Sequence, residues 1–173
     1  MTKARAAVLL VCVAVVLAVV LVPAAGAAPR GCTTAVNGHW TWENNSATVT
    51  DFPTGEQLVS GDEYGTWTGT FKGTSYDVFE MTFAPPIWLS DEDTEWGPAW
   101  GTLTATFTGR MGCKKGTATM YFTIREEANT WVMTGTWVIL SGTKALKHVS
   151  GSGTWVSSGF DSSADYSGTI RWK

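Results

Sequence analysis

Along residues 101–109, GTLTATFTG, apolar and polar positions alternate without a break. Leu103, Ala105 and Phe107 fall on one side of an extended chain, and Thr102, Thr104, Thr106 and Thr108 on the other. The same period of two continues in KKGTATMYFTIRE, where Ala118, Met120, Phe122 and Ile124 oppose Thr117, Thr119, Tyr121, Thr123 and Arg125. In NTWVMTGTWVIL it groups Trp131, Met133, Gly135, Trp137 and Ile139. In the last run Tyr166, Gly168, Ile170 and Trp172 stand against Asp165, Ser167, Thr169 and Arg171. A period of two with one polar side predicts half-buried antiparallel strands with a wet face. About eight strands follow, at roughly 46–52, 64–72, 75–83, 100–109, 115–125, 130–140, 150–157 and 165–172, with tight turns at KGTS and EEAN. Two stretches interrupt the alternation. APPIWLSDEDTEWGPAW (84–100) is a long connection carrying Pro85, Pro86 and Pro98. SGTKALKHVSGSG (141–153) reads as a loop with a helical turn at Lys144–His148.

The triplet Gly-Thr-Trp occurs at 65–67, 135–137 and 153–155. Two residues apart on a strand, its glycine and tryptophan point to the same face, the buried one, while the threonine points to water. An indole in a narrow interior needs a neighbour of almost no volume, and small barrels alternate small with large for this reason. Glycine also lets a strand coil enough for a sheet to close. The expected fold is all-β, a single antiparallel β-barrel of about eight strands.

The barrel is preceded by a different kind of segment. Lys3 and Arg5 are followed by an apolar run, Ala6 to Val22, then Pro23 and the small residues Ala24-Ala25-Gly26-Ala27-Ala28. This is the layout of a secretory signal peptide, which makes residues 1–27 the signal and 28–173 the barrel domain, secreted or held in the cell envelope. A membrane enters only if the run is kept as an anchor. Export leaves Cys32 and Cys113 as an even pair, read as a disulfide. It would close a loop of about 80 residues, worth on the order of 4 kcal/mol. Without Lys3 and Arg5, 12 − 2 = 10 basic residues face 15 acidic ones, a net charge of −5. No basic cluster offsets it, so nucleic acid is a poor partner.

The most specific pattern lies in the C-terminal third. TGTWVILSGTKALKHVSGSGTW (134–155) followed by DYSGTIRW (165–172) gives strand, glycine-rich loop with a central leucine, Gly-x-Gly, strand and closing strand. Over roughly residues 60 to 172 this resembles the allene-oxide-cyclase-like and dirigent-like barrel superfamily, in particular its exported microbial members of unassigned function. The resemblance implies an eight-stranded barrel with an apolar interior. In the cyclases and dirigent-like proteins that interior holds a hydrophobic substrate. The cyclases' polar pocket residues match no positions here, so no catalytic assignment carries over.

Candidate chemistry is sparse. His39 and His148 fall in loops with no partner at metal or triad spacing. Asp91, Asp93 and Glu95 alternate in SDEDTEW and form a weak calcium candidate without the sharp-turn glycine of an EF-hand. Asp77 is in phase with Phe79, Met81 and Phe83 and is the one weak catalytic candidate, because a carboxyl inside a barrel has a raised pKa. Trp67, Phe71, Phe79, Trp131, Trp137 and Trp155 are the candidate ligand-binding aromatics, which either line a cavity or fill it. Trp40, Trp42, Trp88, Trp96 and Trp100 lie outside the clear strands and suit sugar stacking or capping of the barrel. Asn44-Asn45-Ser46 is a glycosylation acceptor pattern. No cofactor is called for, and nothing selects an oligomeric state. The leading expectation is a non-catalytic exported barrel that binds a small hydrophobic ligand or serves as an envelope module. The alternatives are an isomerase or cyclase acting inside the barrel, and a carbohydrate- or surface-binding module built on loop tryptophans.

Overall fold

The computed structural model describes residues 33–172 apart from 86, 89–93, 96, 129, 158 and 160. Eight long antiparallel strands close into one ring. They are β1 (Thr33–Asp51), β2 (Gln57–Gly69), β3 (Phe71–Phe83), β6 (Ala99–Met111), β7 (Lys114–Glu126), β8 (Met133–Gly142), β9 (Val149–Ser157) and β10 (Ser163–Trp172). A short pair, β4 (Ile87–Trp88) and β5 (Thr94–Glu95), sits in the connection between β3 and β6. The ring order is β1-β10-β9-β8-β7-β6-β3-β2, and β10 closes on β1 through Thr33↔Arg171 to Thr41↔Ser163. The all-β expectation of eight antiparallel strands therefore holds. The apolar run of residues 6–22 and Cys32 lie outside the described residues.

Several boundaries differ from expectation: β2 starts at Gln57 and not at 64, β8 starts at Met133 and not at 130, and two further differences have a visible cause. The first strand starts at Thr33, so Trp40, Trp42 and His39 are strand residues and not loop residues. Asn37-Gly38 has the composition of a turn, yet Gly38 continues the strand, paired with Gly69 of β2 and Tyr166 of β10, and the Thr68 carbonyl and the Tyr166 ring occupy the space a side chain would need. A Cβ there would lie 2.6 Å from the Tyr166 ring carbon Cζ. The second difference is the β2–β3 turn, which falls at Gly69–Thr70 and not at KGTS, so Gly73 to Ser75 belong to β3. Gly69 takes φ 92, a conformation that suits glycine.

Gly-Thr-Trp has a more specific purpose than spacing along one strand. In the β8–β9 ladder Gly135 opposes Trp155 and Trp137 opposes Gly153, so each triplet's glycine receives the other triplet's indole. A Cβ on Gly135 would lie 2.6 Å from Trp155 Nε1, and one on Gly153 would lie 2.6 Å from Trp137 Nε1. Each indole passes over that glycine and donates to a carbonyl one strand further on. Trp155 Nε1 donates to Thr123 O at 3.0 Å, and Trp137 Nε1 donates to Ser167 O at 3.1 Å. The glycines thus let tryptophans tie together strands that are not neighbours in the sheet. A related tie is made by Tyr166, whose hydroxyl accepts from the Phe71 amide at 2.8 Å and donates to Thr68 O at 3.0 Å. Burial pushes the Tyr166 phenol up to about 12, which keeps that donor in place.

The interior is filled at one end. Phe71, Phe107, Met111, Met120 and Trp137 have at most 1% of their surface exposed. The β8–β9 connection folds beneath them through a 3-10 turn at Lys144–Leu146, and its fully buried Leu146 plugs the opening. Gly116 clears room for that plug, since a Cβ there would sit 3.0 Å from Leu146 Cγ. The turn residues 112 and 113 lie at this end, where Cys113 is exposed.

Candidate functional site

The other end is hollow. Trp40 stacks on Trp67 with ring centroids 5.1 Å apart and 3° between planes, and this pair divides the filled half from the open one. Trp40 lines a cavity of about 360 Å³ that Trp67 does not reach. Its walls are apolar and aromatic: Phe79, Met81 and Phe83 from β3, Leu103 from β6, Ile124 from β7, Met133 from β8 and Trp155 from β9. Trp42 and Asn44 rise from β1, and Gly159, Asp161 and Ser162 of the β9–β10 connection form part of the mouth. Trp131 also lines the mouth, 37% exposed and at φ 54. It precedes β8 and is not an inward strand residue, contrary to the strand expected at 130–140. A bulky side chain in left-handed backbone costs on the order of 1–2 kcal/mol, and such outliers concentrate at functional sites.

The polar groups of this half are carboxyls. Glu63 (4% exposed) faces the cavity from β2, and Asp77 (0% exposed) lies opposite it on β3 in direct register. Burial pushes Asp77 up to about 7, against the lowering effect of a hydrogen bond from Ser75. Burial pushes Glu63 further, to about 8, with the nearby Asp77 charge adding to the shift. Glu126, at the end of β7 and also on the cavity, is raised by burial.

A short relay fixes Asp77. Trp67 Nε1 donates to Ser75 Oγ at 2.8 Å, and Ser75 Oγ donates to Asp77 Oδ2 at 3.0 Å. Like the β8–β9 tryptophans, Trp40 places its indole by a glycine of the next strand, though diagonally, since it pairs with Trp67 and the glycine is Gly65. A Cβ on Gly65 would lie 2.9 Å from Trp40 Nε1 and 3.0 Å from Asp77 Oδ2. Here the third strand offers a carboxyl where the others offer a backbone carbonyl. Trp40 Nε1 and Asp77 Oδ1 are both buried without a hydrogen-bond partner. Unpaired buried polar atoms cost about 1–3 kcal/mol each and are uncommon away from functional sites.

The expected ligand-binding aromatics divide between the two halves. Phe79, Trp131 and Trp155 line the cavity, whereas Trp67, Phe71 and Trp137 belong to the packed interior. Asp91 and Asp93 lie outside the described residues, as does Trp96, and Glu95 contributes its backbone to β5. Among the described residues no cluster of three metal-ligating side chains occurs. His39 Nδ1 lies 2.9 Å from Asp165 Oδ1 on the outer wall, and His148 is exposed. Asn45 and Ser46 both hydrogen-bond the Asp62 carboxylate at a β-bulge in β1, while Asn44 is exposed. A wider depression, about 610 Å³, runs over the outer face of β1, β2, β9 and β10. It is lined mainly by polar residues, among them Asn37, His39, Thr68, Thr154 and Asp165, and holds neither unpaired buried atom, so the interior cavity is the candidate site. Glu63 and Trp40 are the residues missed by sequence reasoning. Extending the period from Trp67 and Gly65 back two more positions reaches Glu63 on the inner face.

No family model matches this chain, and no curated protein does. The structure is similar to the crystal structure of a protein of unknown function from the DUF3224 family of Shewanella oneidensis. That chain is 12% identical, with a TM-score of 0.58 over 82% of this chain and 98% of that one. The likeness is one of fold.

Proposed function

We propose that this protein is an exported barrel that takes one small, largely apolar ligand into its open end. The observation that carries the reading is the hollow half itself. About 360 Å³ is left unfilled behind walls of tryptophan, phenylalanine, methionine and leucine, in a barrel whose other half is packed solid. Eight strands is the size at which an interior either fills or keeps room for one ligand, and the volume lies at the small end of ligand sites. The resemblance to cyclase-like and dirigent-like barrels, with hydrophobic substrates in their interiors, agrees with this reading.

Binding of N-phenylnaphthylamine, a neutral apolar fluorophore, tests it. The expected result is saturable binding of one molecule per chain. Val59→Trp, which fills the cavity from its β2 wall, should abolish binding while the melting temperature holds. Absence of saturable binding, or binding unchanged in the variant, would overturn the reading.

A second reading, isomerisation or cyclisation of the bound ligand, is favoured by one specific observation. Asp77 and Glu63 face each other across β2 and β3, and burial pushes them up to about 7 and about 8, where a carboxyl can take and return a proton. Once a ligand is recovered by native mass spectrometry, Asp77→Asn should then stop its turnover and leave its binding intact. Turnover unchanged in that variant would dismiss Asp77 as the acid.

A further inference from the structure

The cavity's charge and its aromatic walls narrow the ligand class, given the reading that the cavity binds a ligand at all. We infer that the open end receives an organic cation, an ammonium head on a compact apolar body, held between the Glu63 carboxylate and the indoles of Trp40, Trp42 and Trp155.

The first argument is one of charge. Among the described residues, those lining the cavity include Glu63, Glu126 and Asp161 and no lysine, arginine or histidine. An anionic ligand would meet only like charge there, and a cation only opposite charge, in a space where apolar walls weaken screening. The second argument is the state of Glu63. Its side chain is 4% exposed, it faces the cavity, and no described group hydrogen-bonds its carboxyl or pairs with it as a cation. A carboxyl so placed stays protonated until something compensates the buried charge, and the group that does so from within the cavity is a cation. Third, indole is the best side chain for cation–π attraction, which strengthens as water is excluded. Trp40 and Trp155 are buried with their rings 5.7 Å apart and edge-on, and Trp42 lies 4.8 Å from Trp40. These three indoles line the same cavity as the unpaired carboxyl, so aromatic surface and negative charge are offered to one alkylammonium head. A neutral ligand would leave the carboxyl as it is.

Displacement of N-phenylnaphthylamine from the full chain by octyltrimethylammonium, octanol and octanoate tests the inference, since the three share a chain and differ in head charge. The expected order is octyltrimethylammonium tightest, at least tenfold ahead of octanol, with octanoate weakest. Glu63→Gln should bring the ammonium to within about threefold of octanol and leave octanol unchanged, and Glu126→Gln should act in the same direction more weakly. Ammonium affinity should also rise from pH 6 to pH 9 as Glu63, pushed up to about 8 by burial, ionises beside the head; the other carboxyls around it are Asp77 opposite it on β3, Glu126 on β7 and Asp161 at the mouth. Octanol affinity should stay flat over that range. Octanol or octanoate binding as tightly as the ammonium, or a Glu63→Gln variant that keeps the preference, would overturn the cation and leave the apolar cavity standing. Failure of all three to displace the fluorophore would do the same. Failure of the fluorophore itself to bind would remove the ligand-binding reading and this inference with it.

Discussion

The two ends of this barrel follow the same alternation of inward and outward residues and reach opposite results. At the closed end the inward positions carry Phe71, Phe107, Met111 and Met120, and a neighbouring loop supplies Leu146. At the open end inward positions carry Ala47, Gly61, Ala99 and Gly101, and two more carry Glu63 and Glu126. Periodicity decides which way a side chain points, and side-chain volume decides whether the space it points into is filled. The contrast also separates two uses of tryptophan. Trp137 and Trp155 donate to backbone carbonyls and lock the sheet, while Trp40 meets a carboxyl and keeps an unpaired N–H.

The sharpest way to break the contrast is to deny an indole its glycine. A Cβ at position 153 would lie 2.6 Å from Trp137 Nε1 and 2.7 Å from Gly168 Cα, so the clash is partly with backbone and cannot relax through a side chain alone. Gly153→Val is expected to cost about 3 kcal/mol or more, read as a fall in the urea midpoint. A midpoint within experimental error of the native one would mean that the indole does not need the gap.

Truncations at the two ends should differ for the same reason. Phe107 is fully buried in the packed half, so Phe107→Ala opens a new cavity and should cost about 3–5 kcal/mol. Phe79 is half-buried and already faces empty space, so Phe79→Ala enlarges an existing cavity and should cost about 1 kcal/mol. Equal losses, measured by chemical denaturation, would mean the open end is as well filled as the closed one.

The buried acids give the open end a pH signature. Asp77 and Glu63 have folded values above their unfolded ones, so the native state holds protons that the unfolded chain has already released. Stability is full below the unfolded values near pH 4. It falls as pH rises through about 7 for Asp77 and about 8 for Glu63. Each retained proton contributes a slope approaching about 1.4 kcal/mol per pH unit in that window. Asp77→Asn removes one of the two, so it should raise the urea midpoint at pH 8 relative to the native protein and change little at pH 5. An equal effect at both values would show that Asp77 is ionised in the fold.

Much of the ring was legible because its outer face is written in threonine and its inner face in large apolar side chains. From β6 through β10 that contrast set every strand within a few residues, apart from the start of β8 at Trp131. Legibility failed where a residue's reason for being there lay on another strand. Gly38 has the composition of half an Asn-Gly turn, and its place within a strand is explained by groups on other strands, the Thr68 carbonyl of β2 and the Tyr166 ring of β10, which take the space of a side chain. A carboxyl on an inner face contradicts the hydrophobic pattern that identifies that face, so Asp77 was revealed by Phe79, Met81 and Phe83 beyond it, while Glu63 fell one residue before the strand expected from 64, although Gly65 and Trp67 are in phase with it. The hollow itself was not legible, because it depends on volumes summed across strands that are distant in sequence.

The smallest effect belongs to the rim of the closed end. Lys114 Nζ lies 4.3 Å from the centroid of the Trp172 ring, joining the start of β7 to the end of β10. A cation over an indole at a partly exposed site is worth about 0.5–1 kcal/mol. Lys114→Met keeps the apolar stem and removes the charge, so it should lower the melting temperature slightly, while Lys114→Arg should hold it, since guanidinium stacks well on an indole. The neighbouring Lys115 is exposed, and Lys115→Met should have no effect. If Lys114→Met is as stable as the native protein, the stem alone seals that rim by burial. The closed end would then owe nothing to charge, while the open end, with Glu63 and Asp77 buried and no described cation beside either, owes its character to it.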